Sequence, residues 1–398
     1  MMKKNSSYAW EEFHSDLLLE IVKHLHSAED YVRCRAVCKS WNLKLPKTPN
    51  HIRGPWLVLP LNHDTIKDEK DFYLRLPELR NTMVCGSSFG WLTSVGTDGV
   101  IQMLNPFTDV QFDLPPMSTI PDIISHRHDA KGEEYTIKHV RFMDGVNISY
   151  ISDKHEVKKK HIQKVILSCP PDNNNEDFMA ITIYGKLHRL AFCKFADKTW
   201  TDFSIPEPEL YHDCGLEDAI FHKGYIYAID FLARLFVFDK KTSMGIIIRD
   251  VPSPQCINIT SAPLNTNYLF HDADGDLLMA IRHSHIDEIG VLKTSAFHLY
   301  KLDESVKQWI RIFSLGNYVL VVGFNSSVCM LPFPSAKGNW ARNCIYYSDH
   351  IADFHGPNLG GRDVGVFNLE DGSIEELFPN STCLYPPPLW LFSQNFIS

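Results

Sequence analysis

The hydrophobic pattern of residues 10–41 predicts helices that bury one face. Apolar side chains recur there at helical spacing and form one predicted stripe: Leu17, Leu18, Ile21 and Leu25. Ser15 is placed to cap the first helix, and Ser27 with Asp30 resembles a capping box for a second. A segment of about thirty residues cannot bury a core of its own. Its apolar face therefore needs a partner, either the rest of the chain or another protein.

The pattern changes after residue 45. Residues 45–55 contain three prolines and a glycine, which predicts a domain boundary. Beyond it, short runs rich in Val, Ile, Tyr, Phe and Trp alternate with turn residues, and no long helical periodicity remains. Many short strands with regular turns are typical of an all-β sandwich, barrel or propeller.

A recurring strand-turn-strand unit favours the propeller, because a sandwich needs far fewer strands. The units begin at Leu104, Phe195, Phe238, Leu302 and Leu369, at intervals of 91, 43, 64 and 67 residues. Propeller blades repeat every ~40–50 residues, so these intervals fit blades with inserted loops. With the early strand pair at 56–79, the repeat predicts about six blades. Residues 118–160 and 332–340 are predicted to be loops.

Apolar strands are predicted at both ends of the β region. Residues 56–60 read WLVLP, and residues 386–392 read PPPLWLF. An unpaired apolar edge strand invites aggregation. We therefore expect one blade to take strands from both ends of the chain.

The composition of the chain argues against two further classes of function, nucleic-acid binding and membrane insertion. The chain has 398 residues, and 44% of them are hydrophobic. Its formal net charge of −9 argues against nucleic-acid binding, because that function requires a basic face. No apolar run approaches the ~20 residues of a membrane span, and the N-terminus lacks the apolar segment of a signal peptide. We therefore expect a protein of the cytoplasm, the nucleus or both, without nucleic-acid or membrane partners. The ten scattered cysteines are expected to be free thiols.

Two short motifs suggest chemistry that their context does not support. Residues 86–90, GSSFG, fit the nucleophile turn of a hydrolase, but that turn needs a following helix and here a strand follows. Residues 272–276, DADGD, resemble the start of a calcium loop but lack its glycine and glutamate. We interpret both as turns between strands.

Clusters of His and Asp lack the spacing of a zinc site. They are His126, His128 and Asp129; His283 and His285; and Asp349, His350, Asp353 and His355. The basic run at 154–161 could serve nuclear import or contact a phosphate. We interpret all of these as solvated loops, and we predict no catalytic residue, metal site or cofactor.

The helical segment resembles an F-box. The positions that match the F-box pattern are Asp16, Leu17, Leu18, Ile21, Leu25, Asp30, Arg33, Val37, Cys38 and Trp41. The chain departs from the pattern at Phe13, where leucine is usual, and at His14, where proline is usual. The resemblance implies that the segment binds a Skp-type adaptor through Phe13, Leu17, Leu18, Ile21, Leu25, Val37, Cys38 and Trp41, with Trp41 as the main anchor. The alternative is an ordinary helical pair that packs on the following domain.

The rest of the chain resembles the KIB-type (kelch-like) β-propeller of plant F-box proteins. The matching segments are 72–81, 85–92, 104–116, 200–203, 218–230, 275–282, 293–303, 360–379 and 386–390. The resemblance implies a small all-α F-box at 1–45, a proline-rich linker at 46–55 and an all-β propeller at 56–398.

Together the two resemblances imply a non-catalytic substrate receptor of an SCF-type ubiquitin ligase. The F-box would bind the Skp adaptor, and through it a cullin, while the propeller would bind a substrate protein that the sequence does not identify. Two alternatives remain: an F-box scaffold that acts outside a ligase, and a propeller enzyme or sugar-binding propeller.

Overall fold

The computed structural model describes most of the helical segment and of the β region. The described residues are 13–23, 25, 28–46, 55–59, 73–74, 76, 79, 82–129, 132–140, 147–153, 157, 161–171, 177–203, 215–242, 245–247, 251–254, 265–288, 291–323, 326–332, 334–335, 338–348, 363–378 and 388–392. Ser27, most of the linker and the predicted cluster at 349–355 lie outside them. None of the described helices is long and apolar enough to span a membrane.

Three short helices begin the described chain: α1 (Ser15–Lys23), α2 (Ala28–Ala36) and α3 (Lys39–Lys44). The amide of Leu18 donates to the carbonyl oxygen of His14 at 3.0 Å. His14 therefore accepts the first helical bond of α1, and Ser15, predicted as the cap, is the first helical residue. Cys38 caps α3, because its Sγ accepts a hydrogen bond from the Trp41 amide at 3.5 Å.

The remaining elements are strands and one 3₁₀ turn. The first nine strands are β1 (Pro55–Val58), β2 (Tyr73–Leu74), β3 (Met83–Ser88), β4 (Trp91–Val95), β5 (Ile101–Asn105), β6 (Val110–Leu114), β7 (Ile123–Asp129), β8 (Gly132–Val140) and β9 (Asn147–Asp153), with the 3₁₀ turn at Met117–Thr119. The next eight are β10 (Ile162–Leu167), β11 (Met179–Tyr184), β12 (Arg189–Lys194), β13 (Thr201–Asp202), β14 (Leu216–His222), β15 (Tyr225–Asp230), β16 (Leu235–Asp239) and β17 (Gly245–Ile247).

The last twelve are β18 (Thr266–His271), β19 (Leu277–Ile286), β20 (Leu292–Asp303), β21 (Gln308–Ile312), β22 (Val319–Val322), β23 (Val328–Met330), β24 (Pro334–Ser335), β25 (Gly338–Asn339), β26 (Cys344–Tyr347), β27 (Gly365–Asn368), β28 (Ile374–Glu376) and β29 (Leu389–Phe392). The high proportion of strands confirms the all-β prediction for the described part of this region.

These strands form a series of small sheets, as expected of a propeller-like domain. Four sheets have four antiparallel strands each, in chain order: β3–β6, β10–β13, β14–β17 and β18–β21. A fifth has the order β23-β22-β26-β27-β28, and the terminal sheet has the order β2-β1-β29. The first strands β3, β10, β14 and β18 of successive sheets lie against one another. The number of blades stays a prediction.

The predicted strand-turn-strand unit joins the last two strands of the sheets. Asn105, Asp239, Asp303 and Asn368 each end the last strand but one, and each Oδ1 accepts a hydrogen bond from the backbone amide two residues later, at 2.8–3.0 Å. Such side-chain bonds fix a turn locally. The repeat read from the sequence is therefore a repeated turn with the same chemistry in four sheets.

Two predicted loops contain strands. Residues 118–160 hold the antiparallel sheet β7-β8-β9, in which Tyr135 and Ile137 of β8 are buried. The abundance of charged residues hid the alternation of these strands, so the loop prediction is wrong there. Residues 332–340 contain only the two short strands β24 and β25.

The terminal sheet joins the two ends of the β region, which confirms the predicted pairing. Strand β1 pairs antiparallel with β29, with Leu57 opposite Trp390 and Val58 opposite Leu389. Pro55, predicted to belong to the linker, is the first residue of β1. The sheet thus protects an apolar strand from each end of the β region.

Buried charges join neighbouring sheets. The Lys164 ammonium donates to Asp218 Oδ1 at 2.6 Å, and the other Asp218 oxygen accepts from the Leu269 amide at 2.9 Å. Glu217 Oε2, on the neighbouring residue, accepts from the Asn267 amide at 2.8 Å. These contacts join strands β10, β14 and β18, so three successive sheets are held together by polar bonds as well as by apolar packing.

Candidate functional site: the N-terminal helices

The apolar residues of the helices divide between solvent and the interior. Leu17, Ile21, Val37 and Leu43 are 60%, 45%, 52% and 86% exposed. Leu18 of the same helix is fully buried, and Trp41 is 7% exposed. Successive helical residues are turned by about 100°, so Leu17 and Leu18 face different sides. The prediction of one stripe is therefore wrong, and the helices present two apolar faces.

Three further predicted adaptor-binding residues have intermediate positions. Phe13, Leu25 and Cys38 are partly buried against the same interior cluster as Leu18 and Trp41. The Phe13 and Trp41 rings lie 5.8 Å apart, and the Lys44 ammonium donates to the Phe13 carbonyl oxygen at 2.8 Å. Of the eight predicted residues, Leu17, Ile21 and Val37 are thus the ones that are clearly accessible to a partner.

The buried helical face packs on the sheets. One hydrophobic cluster contains helical residues together with residues of the terminal sheet and of β3–β6: Leu18, Val22, Tyr31, Trp41, Leu45, Trp56, Val58, Leu76, Val84, Leu92, Phe107, Leu389 and Leu391. The packing that the alternative interpretation expected is therefore present. Because Trp41 lies inside this cluster, its ring is not available as the predicted anchor in this arrangement.

Arg35 holds the helices to the sheets with polar bonds. Its side chain is almost wholly buried, and Nη1 donates to the carbonyl oxygen of Phe107 in the β5–β6 turn at 3.2 Å. Nη2 donates to Asn42 Oδ1 of α3, also at 3.2 Å. One guanidinium therefore joins α2, α3 and a sheet turn. Sequence reasoning missed Arg35, because nothing in its spacing separates it from a solvated helical arginine.

Tyr31 adds a second contact between helix α2 and the chain that follows α3. Its hydroxyl donates to the Pro46 carbonyl oxygen at 2.8 Å. Burial raises the pKa of Tyr31 to about 12. The hydroxyl therefore stays protonated at neutral pH and remains a hydrogen-bond donor.

The hydrolase-like motif is a hairpin turn, as interpreted. Strands β3 and β4 meet at Phe89 and Gly90, whose φ angles are 54° and 83°. Gly86 has a separate reason to be glycine, because a Cβ there would lie 2.2 Å from the Val165 carbonyl oxygen. The motif therefore reflects a tight turn and a close approach of β3 and β10.

The calcium-like run is also a turn, between β18 and β19. Asp272 Oδ1 accepts hydrogen bonds from the amides of Asp274 and Asp276, both at 3.0 Å. The Lys301 ammonium lies 3.0 Å from Asp272 Oδ2 and 2.6 Å from Asp276 Oδ2. The Lys301 ammonium thus supplies the positive charge beside these two carboxylates.

The described histidines of the predicted clusters lie on strands β7 and β19, so their interpretation as loop residues is wrong, whereas His126 and His285 are exposed as expected. His126 of β7 stacks on Tyr135 with the ring centres 4.4 Å apart, and His283 of β19 lies 3.0 Å from His298. His161, the last residue of the basic run, is buried and lies 2.8 Å from Asp122 Oδ1. Within the described residues, no group of three or more His, Cys, Asp or Glu could hold a metal ion.

A chain of hydrogen-bonded polar side chains that no sequence motif predicts lies at the boundary of two sheets. His222 Nδ1 lies 3.0 Å from His271 Nε2, and His222 Nε2 lies 3.1 Å from Glu304 Oε1. Lys223 donates to the same Glu304 oxygen at 2.7 Å. Burial, with the neighbouring His222, lowers the pKa of His271 to about 4. The His271 ring is therefore neutral at neutral pH, and its bond to His222 joins β14 and β18.

Curated proteins of similar sequence cover nearly the whole chain. A putative F-box protein of Arabidopsis thaliana, At5g55150, is 22% identical over 391 residues, which cover 94% of each chain. The F-box protein SKIP23 of the same plant is 22% identical over 432 residues, which cover 97% of this chain and 96% of SKIP23. Among solved structures, the β-propeller domain of Cps50 (Swd1) from Myceliophteria thermophila covers 76% of this chain and 87% of its own, with 10% identity and a TM-score of 0.34.

Two family profiles match the chain in succession. An F-box-like profile matches residues 15–43, which include all three helices except the last residue of α3. The profile of the KIB1-4 β-propeller family matches residues 62–368, most of the chain. The chain belongs to the KIB1-4 β-propeller family and is a plant F-box protein with a C-terminal propeller domain.

Proposed function

We propose that this protein is the substrate-recognition subunit of an SCF-type ubiquitin ligase. The observation that carries the proposal is the exposure of Leu17, Ile21, Val37 and Leu43 on a helical segment whose other apolar face is already covered. Fully burying one such side chain contributes roughly 1.5–3 kcal/mol. The four residues together offer on the order of 6–12 kcal/mol to a Skp-type adaptor, before the cost of association, which is of similar size.

The exposed residues lie on different parts of the segment. Leu17 and Ile21 belong to α1, Val37 follows α2, and Leu43 belongs to α3. An adaptor would need to contact all three helices to cover them. In this proposal the exposed residues contact the adaptor, whereas the buried side chains of Leu18 and Trp41 hold the helices in place.

The proposed mechanism contains no catalytic step on this chain. The adaptor and its cullin would bring a conjugating enzyme close to a substrate protein held by the propeller. Holding two reactants together raises their effective concentration. Ubiquitin would thus be transferred to lysines of the bound substrate without any reactive residue on the receptor. The proposal places this assembly in the cytoplasm, the nucleus or both.

Reconstitution of the complex tests the proposal. The full chain, a Skp-type adaptor and a cullin are mixed and separated by size, and we expect all three to migrate together. The control is the full chain with Leu17, Ile21 and Val37 changed to Ser, with circular dichroism to verify its fold. A wild-type chain that leaves the adaptor unbound would disprove the proposal. Adaptor binding without the cullin would instead favour the scaffold alternative.

Affinity purification of the full chain extends the test to the substrate. The same exposed-residue variant serves as the matched sample, because it should retain the propeller and its substrate. Proteins that are recovered with both chains are substrate candidates. Proteins recovered only with the wild-type chain are candidates for the ligase subunits.

A further inference from the structure

The strands of the terminal sheet have two apolar faces with different neighbours. Trp56 and Val58 of β1 lie in the cluster that contains the helices, as do Leu389 and Leu391 of β29. The alternate residues, among them Trp390 and Phe392, lie in another cluster with strands β22 and β26. This division follows from the alternation of side chains along a strand. The terminal sheet is therefore a layer between the helices and the β22–β28 sheet.

The helical side of this layer is continued by the β5–β6 turn. The Phe107 ring lies 4.9 Å from the Trp56 ring, and the Phe107 carbonyl oxygen accepts the hydrogen bond from Arg35. Asn105 Oδ1 holds the turn by accepting from the Phe107 amide at 3.0 Å. The helices are thus held in two ways: by apolar packing against β1 and β29, and by a hydrogen bond to the β5–β6 turn.

The helices are too short to be stable by themselves. They are three short elements of nine, nine and six residues, and isolated helices shorter than ~12–15 residues are marginal in water. Their described core residues, Leu18, Val22, Tyr31, Trp41 and Leu45, all belong to the cluster that they share with the sheets. The arrangement of the helices therefore depends on residues at the far end of the chain.

We propose that the carboxyl-terminal strand β29 is part of the adaptor-binding machinery, with Leu391 and Arg35 as positioning residues. Neither residue needs to contact the adaptor. Leu391 supports the buried face of the helices, and Arg35 fixes α2 and α3 to the β5–β6 turn. Together they hold Leu17, Ile21, Val37 and Leu43 in one arrangement. The part of this inference that concerns the adaptor rests on the proposed function.

Hydrogen exchange on the full chain tests the inference without any partner. Leu391→Ala should accelerate amide exchange in residues 15–45 by at least tenfold, because the helices lose part of their support and open locally. Phe392→Ala is the matched control: it is the next residue of β29, equally buried, and faces the other cluster. It should leave exchange in the helices within about threefold of the wild type, whatever it does to the melting temperature.

Two conservative variants separate positioning from general stability. Leu391→Met keeps the volume nearly unchanged and should restore slow exchange. Arg35→Lys keeps the charge but replaces the guanidinium fork by one ammonium. It should therefore accelerate exchange in α2 and α3 while the exchange of β10–β13 stays unchanged.

Titration of the adaptor completes the test. We expect Leu391→Ala to weaken binding about tenfold and Phe392→Ala to leave it within about threefold. Unchanged helix exchange in Leu391→Ala, or equal acceleration in Phe392→Ala, would overturn the inference. If the wild-type chain does not bind the adaptor, the proposed function fails, whereas the exchange comparison still decides whether β29 supports the helices.

Discussion

Leu17 and Leu18 are adjacent in sequence and have opposite environments in helix α1. Leu17 is 60% exposed, whereas Leu18 is fully buried between the helices and the terminal sheet. A partner can contact Leu17 directly, whereas Leu18 can affect binding only through the stability and arrangement of the helices. Substitutions at Leu17 and Leu18 should therefore distinguish effects on partner binding from effects on folding stability.

The first prediction uses this separation. Leu17→Ala with Ile21→Ala should weaken adaptor binding by at least tenfold and leave the melting temperature nearly unchanged, since both side chains are exposed. Leu18→Ala should instead cost about 2–5 kcal/mol of unfolding free energy, as do other buried leucines. Adaptor titration and urea unfolding measure the two effects. Strong destabilisation by the Leu17 and Ile21 changes would contradict the assignment of the faces.

The second prediction concerns the pairing of β1 with β29. A chain that ends at Pro379 lacks β29, so Trp56 and Leu57 of β1 keep only β2 as a partner strand and lie on an exposed apolar edge. We expect it to be insoluble or to melt at a clearly lower temperature than the full chain. A chain that ends at Phe392 keeps β29 and serves as the control. Equal melting of the shorter chain and the full chain would show that the pairing contributes little.

The third prediction concerns removal of residues 1–45. The proline-rich linker suggests two independent modules, but the shared cluster places Trp56, Val58, Leu389 and Leu391 against the helices. Their exposure should lower the melting temperature and promote aggregation of the remaining domain. Thermal unfolding and light scattering measure both. An unaffected domain would mean that the helices pack on it without stabilising it.

The fourth prediction concerns the buried ion pair of Arg282 and Asp363, which are 0% and 2% exposed. Asp363 Oδ2 also accepts from the Thr294 amide and hydroxyl, at 2.6 and 2.7 Å. Asp363→Ala leaves a buried guanidinium without its carboxylate and should cost about 3–5 kcal/mol. Glu20→Ala breaks the exposed pair with Lys23 and should cost below ~1 kcal/mol. Urea unfolding compares them; similar costs would contradict the burial argument.

The fifth prediction is a pH dependence at Glu217. Burial raises its pKa from 4.5 to about 8, and the Asp230 and Asp218 carboxylates add to the effect. The folded state therefore holds a proton that the unfolded state releases, so this contribution to stability falls as pH rises from 4.5 through 8. Glu217→Gln should raise the melting temperature more at pH 8.5 than at pH 5. An equal shift at both pH values would contradict the assignment.

Strand positions were predictable where apolar runs and turn residues alternate, as in β15 and β26. The repeated turns were visible because Asn and Asp at the end of a strand are local signals. The sheet β7-β8-β9 was not predicted, since charged residues interrupt the apolar alternation along its strands. The division between Leu17 and Leu18 could not be predicted either, because both are apolar and only the tertiary packing decides which one is buried.

The pairing of β1 with β29 also bears on how the chain is synthesised. The first strand emerges from the ribosome long before its partner, and until then Trp56 and Val58 have no strand from the other end to pair with. The helices likewise acquire Leu389 and Leu391 only after strands β1 to β28 have been synthesised. A prematurely terminated product would therefore carry an unsupported helical segment. The packing that arranges the exposed residues of the helices is therefore complete only once β29 has been made.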